Sequence, residues 1–217
     1  MKLFIWDFHG VLEKGNELAV IDITNKALRE FGYSVNFTQG DCNKLYGLKW
    51  WEYFQYLLPN EPMERHVALQ ERCFEISDST PELIAKYIKP NDNAHQVLQA
   101  VKDKGHTQIL ISNTQAHALK MFLKVTDLDK FFGDSTALTV DAHRLDAHKT
   151  KKDILKDYVK DKIFEDFVII GDSPGDMALS EIVGGKTYLY AYYNREFKDC
   201  TAHYRIRNLL EVLRELA

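Results

Sequence analysis

Cysteine is scarce in this chain of 217 residues. Cys42, Cys73 and Cys200 lie far apart, with no CxxC pair and no regular metal-ligand spacing. An odd number of distant thiols argues against a disulfide framework or a zinc site and predicts buried thiols in a reducing compartment. Long apolar runs are missing too, since none approaches the ~20 residues that a membrane helix needs, so no membrane partner is expected. The opening MKLFIWDF carries one lysine, no extended apolar region and no small-residue cleavage site. It predicts a chain without a secretory signal, placed in the cytoplasm. Basic residues are not in excess: 28 Lys and Arg stand against 32 Asp and Glu, a formal net charge of -4. That balance argues against nucleic acid as a main partner. Internal repeats and low-complexity segments are also lacking.

What is present suits a folded globular protein: 45% of residues are hydrophobic and 28% charged. The length allows one medium domain, or a core with a small insertion. Bulky apolar runs at residues 2–6, 107–111, 166–170 and 187–190 predict strands. Amphipathic segments at 94–104, 116–124, 151–160 and 174–183 alternate with them, and Gly105 is placed to cap the first. The chain closes on a stripe of Ile206, Leu209, Leu210, Leu213 and Leu216 that predicts a helix. Strands alternating with helices predict an α/β fold, a parallel sheet covered on both faces. Between about Gly15 and Pro90 the pattern is helical throughout. Val20, Ile23, Ala27, Leu28 and Phe31 share one face, and segments 49–58, 61–76 and 77–88 follow. Ser79 and Glu82 predict a capping box, with Pro81 in the first turn. Residues 15–90 are therefore expected to form an inserted helical subdomain, and residues 1–14 with 91–217 the core, with Asn16 and residues 90–93 as hinges.

Four polar sites end apolar strands. Asp7 follows FIW, Ser112 and Asn113 follow ILI, and Asp172 follows IIG, with Asp176 four residues on. Ligands of an open parallel sheet gather beyond the carboxyl ends of its strands. Carboxylates converging there without Cys or His at ligand spacing suit a hard cation such as Mg²⁺. Helix N-termini just beyond Ser112 and Asp172 offer N–H groups to an anion. With a lysine from HKTKK, the set matches phosphoryl transfer, in which a free carboxylate attacks phosphorus.

These segments resemble, over essentially the whole chain, the haloacid dehalogenase-like superfamily of hydrolases, mostly phosphatases. FIWDFHGVL resembles the first family motif, ILISN the second, and GDSPGD the fourth. The third is a lysine some twenty residues before the fourth. Lys149 fits best, although Thr150 replaces the usual proline and Lys151 or Lys152 compete. The resemblance implies a three-layer Rossmann-like core with an inserted helical cap of the C1 type. It implies Asp7 as nucleophile, Ser112, Lys149, Gly10 and Asn113 around the phosphoryl group, and Mg²⁺ held by Asp7, Asp172, Asp176 and the backbone carbonyl of His9. The expected substrate is a small phosphorylated molecule, and the expected assembly a monomer or homodimer.

His9 departs from the family pattern, which has Asp there to protonate the leaving alcohol and activate water. Imidazole suits acid–base work, with a free pKa of about 6.5. Its longer ring and a nearby cation oppose that role, whereas three carboxylates favour imidazolium. The expected function is Mg²⁺-dependent hydrolysis of a phosphomonoester through an aspartyl phosphate. The alternatives are a phosphonate or acyl phosphate substrate, or a catalytically weak metal- or partner-binding member of the fold. In the cap, Trp50 is a candidate substrate contact, alongside a core role for the aromatic cluster of residues 50–56. Lys44 and Lys49 are candidates for an anionic substrate tail, with solvated surface the plainer reading. His143 and His148 fit no metal spacing and read as loop residues. Tyr188, Tyr190, Tyr192 and Tyr193 read as packing or a dimer face.

Overall fold

A computed structural model describes residues 1–141, 149–191, 197 and 199–216. The chain divides into two units, Met1–Lys14 with Lys89–Ala217, and Gly15–Ile88. In chain order the elements are β1 (Leu3–Trp6), β2 (Glu13–Lys14), α1 (Asn16–Glu30), α2 (Gln39–Lys44), α3 (Trp50–Leu57), α4 (Met63–Ser79), α5 (Pro81–Tyr87) and β3 (Lys89–Pro90). There follow α6 (Ala94–Asp103), β4 (Thr107–Ser112), α7 (Ala116–Val125), β5 (Ala137–Thr139), α8 (Lys151–Val159), β6 (Phe167–Gly171), α9 (Pro174–Met177), α10 (Ser180–Val183), β7 (Lys186–Tyr190), β8 (Tyr204–Ile206) and a closing 3₁₀ helix, Leu209–Leu216.

The first unit is built on a parallel sheet of order β5-β4-β1-β6-β7-β8. β1 lies between β4 and β6, pairing Leu3 with Thr107 on one side and with Phe167 on the other. All four of its residues are buried, as expected of a strand covered on both faces. Leu3, Ile5, Ile109, Ile111 and Ile169 share one face and pack with Leu155 of α8 and Met177 of α9. Phe4 and Trp6 stack on each other on the opposite face, their ring centroids 6.3 Å apart. α6 covers that side, where Leu98 O accepts from Gln108 Nε2 of β4 at 3.0 Å. Each large apolar side chain buried this way contributes roughly 1.5–3 kcal/mol. Because the strand order runs outward in both directions from β1, the sheet's switch point lies at the end of β1.

β5 and β8 are absent from the sequence expectations because each has three residues, mostly half-buried or exposed, at a sheet edge. The expected C-terminal helix is instead a strand end at Ile206 and a 3₁₀ turn. Leu209, Val212 and Glu215 are its buried residues, a spacing of three that matches eclipsed 3₁₀ side chains. The expected helix at 174–183 is two short helices. The insertion ends at Ile88 rather than at residue 90, because Lys89–Pro90 pairs antiparallel with Glu13–Lys14.

The second unit, the inserted helical cap region, holds α1 to α5. Trp50 Nε1 donates to Thr24 Oγ1 at 2.9 Å and the indole meets Phe74 edge-on, tying α3 to α1 and α4. Gly15 has φ 97°, and a Cβ there would lie 2.2 Å from Tyr87 O, so only glycine lets the two ends of the unit pass so closely. The expected Ser79–Glu82 capping box does not form. Ser79 ends α4 with its hydroxyl on Ile76 O, and Thr80 stands before Pro81. Among the described residues, no helix is long and apolar enough to cross a membrane.

Candidate active site

Asp7 is the first residue after β1, its N–H held by Ile170 O of β6 at 2.9 Å. Asp172 follows β6, and Asp176 lies on α9. One carboxylate oxygen from each comes within 4.8 Å of the others, and all three residues are buried. The sequence explains the closeness of Asp176. A Cβ at Gly171 would fall 2.1 Å from Asp176 Cβ, so glycine at the end of β6 makes room for the carboxylate. Ser173 N and Oγ donate to Asp176 Oδ2 at 3.2 and 2.6 Å, which leaves Oδ1 for the site.

The lysine of the site is Lys151. Its Nζ donates to Asp7 Oδ1 at 2.6 Å and to Asp176 Oδ1 at 2.7 Å, with 12% of the side chain exposed. Lys149, the best fit from motif spacing, is instead an exposed residue paired with Asp157 at 3.1 Å, and Lys152 pairs with Glu181 at 2.6 Å. Helix capping is the reason. Thr150 is the N-cap of α8, its hydroxyl accepting from Asp153 N and its own N–H donating to Asp153 Oδ2 at 2.8 Å. Lys149 therefore lies before the helix and Lys151 at its first position. The TxxD capping signature of residues 150–153 is legible in the sequence and marks that boundary.

Burial pushes the Asp7 carboxyl up to about 6, against the pull of Lys151 and with Asp176 adding to the rise. Burial alone would lower Lys151, but Asp176 and Asp7 outweigh it and hold the ammonium charged. Three carboxylates and one ammonium leave the cluster rich in negative charge, while burial is the main reason the Asp7 carboxyl is raised. A hard divalent cation with oxygen ligands answers that imbalance, so the donor set fits such a cation. Asp7, Asp172 and Asp176 are the side chains that would hold it.

Ser112 is buried at the end of β4, and its Oγ accepts from Thr114 N at 3.3 Å. Asn113, next in the chain, is exposed. Gly10 is not available to a substrate through its N–H, which donates to Glu13 Oε1 at 3.1 Å. The His9 ring takes no part in the acidic group. Its Nδ1 lies 2.8 Å from Glu13 Oε1 and its Nε2 2.9 Å from Thr114 Oγ1. Glu13 and Thr114 are functional candidates that sequence reasoning missed. The one available signal is a glutamate four residues after His9 inside an apolar turn. Trp50 is used in the interior of the helical unit, with its indole N–H already bonded to Thr24. Lys44 meets the ring and hydroxyl of Tyr56. Tyr188 and Tyr190 are buried in β7. His143, His148, Tyr192 and Tyr193 lie outside the described residues.

The comparisons agree with this architecture. Structures of similar fold include a protein from Haemophilus somnus described as a predicted phosphoglycolate phosphatase (15% identity, 100% of this chain and 98% of that one, TM-score 0.83). Another is a haloacid dehalogenase-family hydrolase from Deinococcus radiodurans with bound phosphate and sodium (17% identity, 100% and 94% covered, TM-score 0.69). A third is a hydrolase of the same superfamily from Geobacter sulfurreducens (19% identity, 100% and 97% covered, TM-score 0.71). No curated protein sequence matches the chain. The family model for haloacid dehalogenase-like hydrolases matches residues 4–190. A match of that extent, on a fold and an acidic cluster of this kind, identifies the chain as a member of the haloacid dehalogenase-like hydrolases.

Proposed function

We propose that this hydrolase is an Mg²⁺-dependent phosphatase that removes the phosphoryl group from a small phosphorylated metabolite through an aspartyl phosphate on Asp7. One observation carries the reading: Asp7, Asp172 and Asp176 converge at the end of the central strand, and Lys151 bridges two of them. The phosphatase description of the Haemophilus relative and the phosphate bound by the Deinococcus relative agree with it.

In the first step an Asp7 carboxylate oxygen attacks phosphorus. The bond from phosphorus to the ester oxygen breaks, and that oxygen leaves with the electron pair and a proton from His9. In the second step water attacks phosphorus and gives a proton to His9. The bond to Asp7 breaks, its electron pair returns to the carboxylate, and inorganic phosphate is released. In this reading Lys151 and Ser112 meet the phosphoryl oxygens, the first as a fixed charge and the second as a hydroxyl donor. When bound, Mg²⁺ supplies positive charge against the phosphoryl oxygens and offsets the three carboxylates.

The engagement of both His9 nitrogens favours a second reading, an acyl phosphate substrate, whose carboxylate leaves without needing a proton. A panel of phosphomonoesters and acyl phosphates assayed with Mg²⁺ separates the two. Turnover of alkyl phosphomonoesters that vanishes in Asp7→Asn and His9→Ala supports the first. Turnover of acyl phosphates alone, unchanged in His9→Ala, supports the second.

A further inference from the structure

We propose that Glu13 and Thr114 are positioning residues that fix the His9 ring as its Nδ1–H tautomer, so that Nε2 is the nitrogen that exchanges protons. The inference rests on the acid–base role given to His9 above. The three side chains form a line, with Glu13 Oε1 2.8 Å from Nδ1 and Thr114 Oγ1 2.9 Å from Nε2. It has the layout of a carboxylate, an imidazole and a hydroxyl in which the carboxylate sets the orientation of the ring.

The donor and acceptor roles follow from Gly10. Its N–H can only donate, so Glu13 Oε1, 3.1 Å away, accepts there. Nδ1 meets the same oxygen and brings a proton to it. In the neutral ring the lone pair is then on Nε2, where the Thr114 hydroxyl donates to it. When Nε2 carries a proton, the same hydroxyl accepts from it until the leaving oxygen takes that place. Two aromatic neighbours restrict the remaining freedom. Phe8 and Phe122 meet the imidazole edge-on, with centroids 5.1 and 5.4 Å away.

Glu13 is not explained by packing. It is 0% exposed, and its second oxygen, Oε2, has no hydrogen-bond partner among the described residues. A carboxylate taken wholly out of water is costly unless a specific partner needs it, and an apolar residue would fill this space at no such cost. His9 and Gly10 are its partners, and both belong to the loop that follows the nucleophile. Thr114 reaches the same ring from the loop beyond β4, 105 positions away in sequence. The arrangement thus joins the loops after the first and second motifs through one imidazole. It also shows how a histidine, longer than the usual aspartate, is held still there.

The test reads the ring directly and does not depend on turnover. The full chain is labelled with ¹⁵N-histidine, and the His9 nitrogens are assigned by comparison with His9→Ala at one fixed pH. The expected spectrum has the proton on Nδ1 in the wild type and in Glu13→Gln, whose amide oxygen still accepts from Gly10 and the ring. Glu13→Ala is expected to lose that signature, and Thr114→Val to keep it while shifting Nε2. A neutral wild-type ring protonated on Nε2 rather than on Nδ1, or a neutral-ring tautomer unchanged in Glu13→Ala, overturns the proposal. Should Glu13→Ala not fold, a wild-type ring carrying its proton on Nε2, or Thr114→Val leaving Nε2 unshifted, still overturns it. In kinetics, Thr114→Val and Glu13→Ala are expected to lower kcat by about 10- to 100-fold with little change in KM. If the spectra are as expected and no phosphate ester turns over, the phosphatase reading fails while the positioning of His9 stands.

Discussion

Lys151 Nζ stands 2.6 Å from Asp7 Oδ1, joining the first residue of α8 to the first residue after β1 across 144 positions of sequence. The same ammonium reaches Asp176, so one cation balances two buried carboxylates. Removing it leaves Asp7, already at about 6 through burial, with less to hold it ionised.

Lys151→Met is therefore expected to lower kcat/KM by about 100-fold or more, the scale of a lost electrostatic contact at a reacting group. Lys149→Met, which removes an exposed pair with Asp157, should change it by less than about twofold. Steady-state assays of the two variants side by side make the comparison. Equal losses in both would remove Lys151 from the site.

Mg²⁺ should raise the melting temperature of the wild type. A ligand that binds only the folded state adds about 2.7 kcal/mol at a hundredfold excess over Kd. Asp172→Asn should abolish most of the shift. Gly171→Ala should do the same, because its Cβ would fall 2.1 Å from Asp176 Cβ and displace that carboxylate. Thermal melts with and without the cation read both variants.

Glu215 should make part of the acid sensitivity of the fold. Burial alone would raise its pKa, but the Tyr188 hydroxyl and the Lys186 and Lys2 ammonium groups outweigh burial and hold it below its usual 4.5. Tyr188 donates at 2.5 Å and Lys186 at 2.9 Å. A depressed carboxyl contributes stability that is fully present above its unfolded pKa and lost as pH falls through the folded value. Denaturant unfolding from pH 7 downward should show Glu215→Gln less stable at neutral pH by roughly 1–3 kcal/mol. The difference should shrink below about pH 4.5.

Trp50→Phe tests whether the indole serves the helical unit or a substrate. Loss of the bond to Thr24 should cost about 1–2 kcal/mol of stability. It should leave kcat/KM within about threefold, as expected for a packing change inside the helical unit. A KM raised tenfold with stability unchanged would restore Trp50 as a substrate contact.

The strands at the centre of the sheet were legible because a parallel strand buried on both faces reads as an unbroken apolar run, as in LFIW and FVIIG. Asp7, Ser112 and Asp172 were legible for the same reason: each is the polar residue at the end of such a run. β5 and β8 were not, because three residues at an edge, mostly half-buried or exposed, carry no period to detect. Distance to the fourth motif favours Lys149, and the capping of α8 by Thr150 overrides that distance. Glu13 and Thr114 left little trace, because their common partner, His9, is brought to Thr114 only by the packing of β1 against β4.

The most direct measurement is a rapid acid quench during turnover of a phosphomonoester with Mg²⁺, followed by peptide mass spectrometry. The account predicts a phosphoryl group on the peptide that contains Asp7, and none in Asp7→Asn, which should release no phosphate. Phosphate released at an undiminished rate by Asp7→Asn, or a phosphoryl group on another residue, would contradict it.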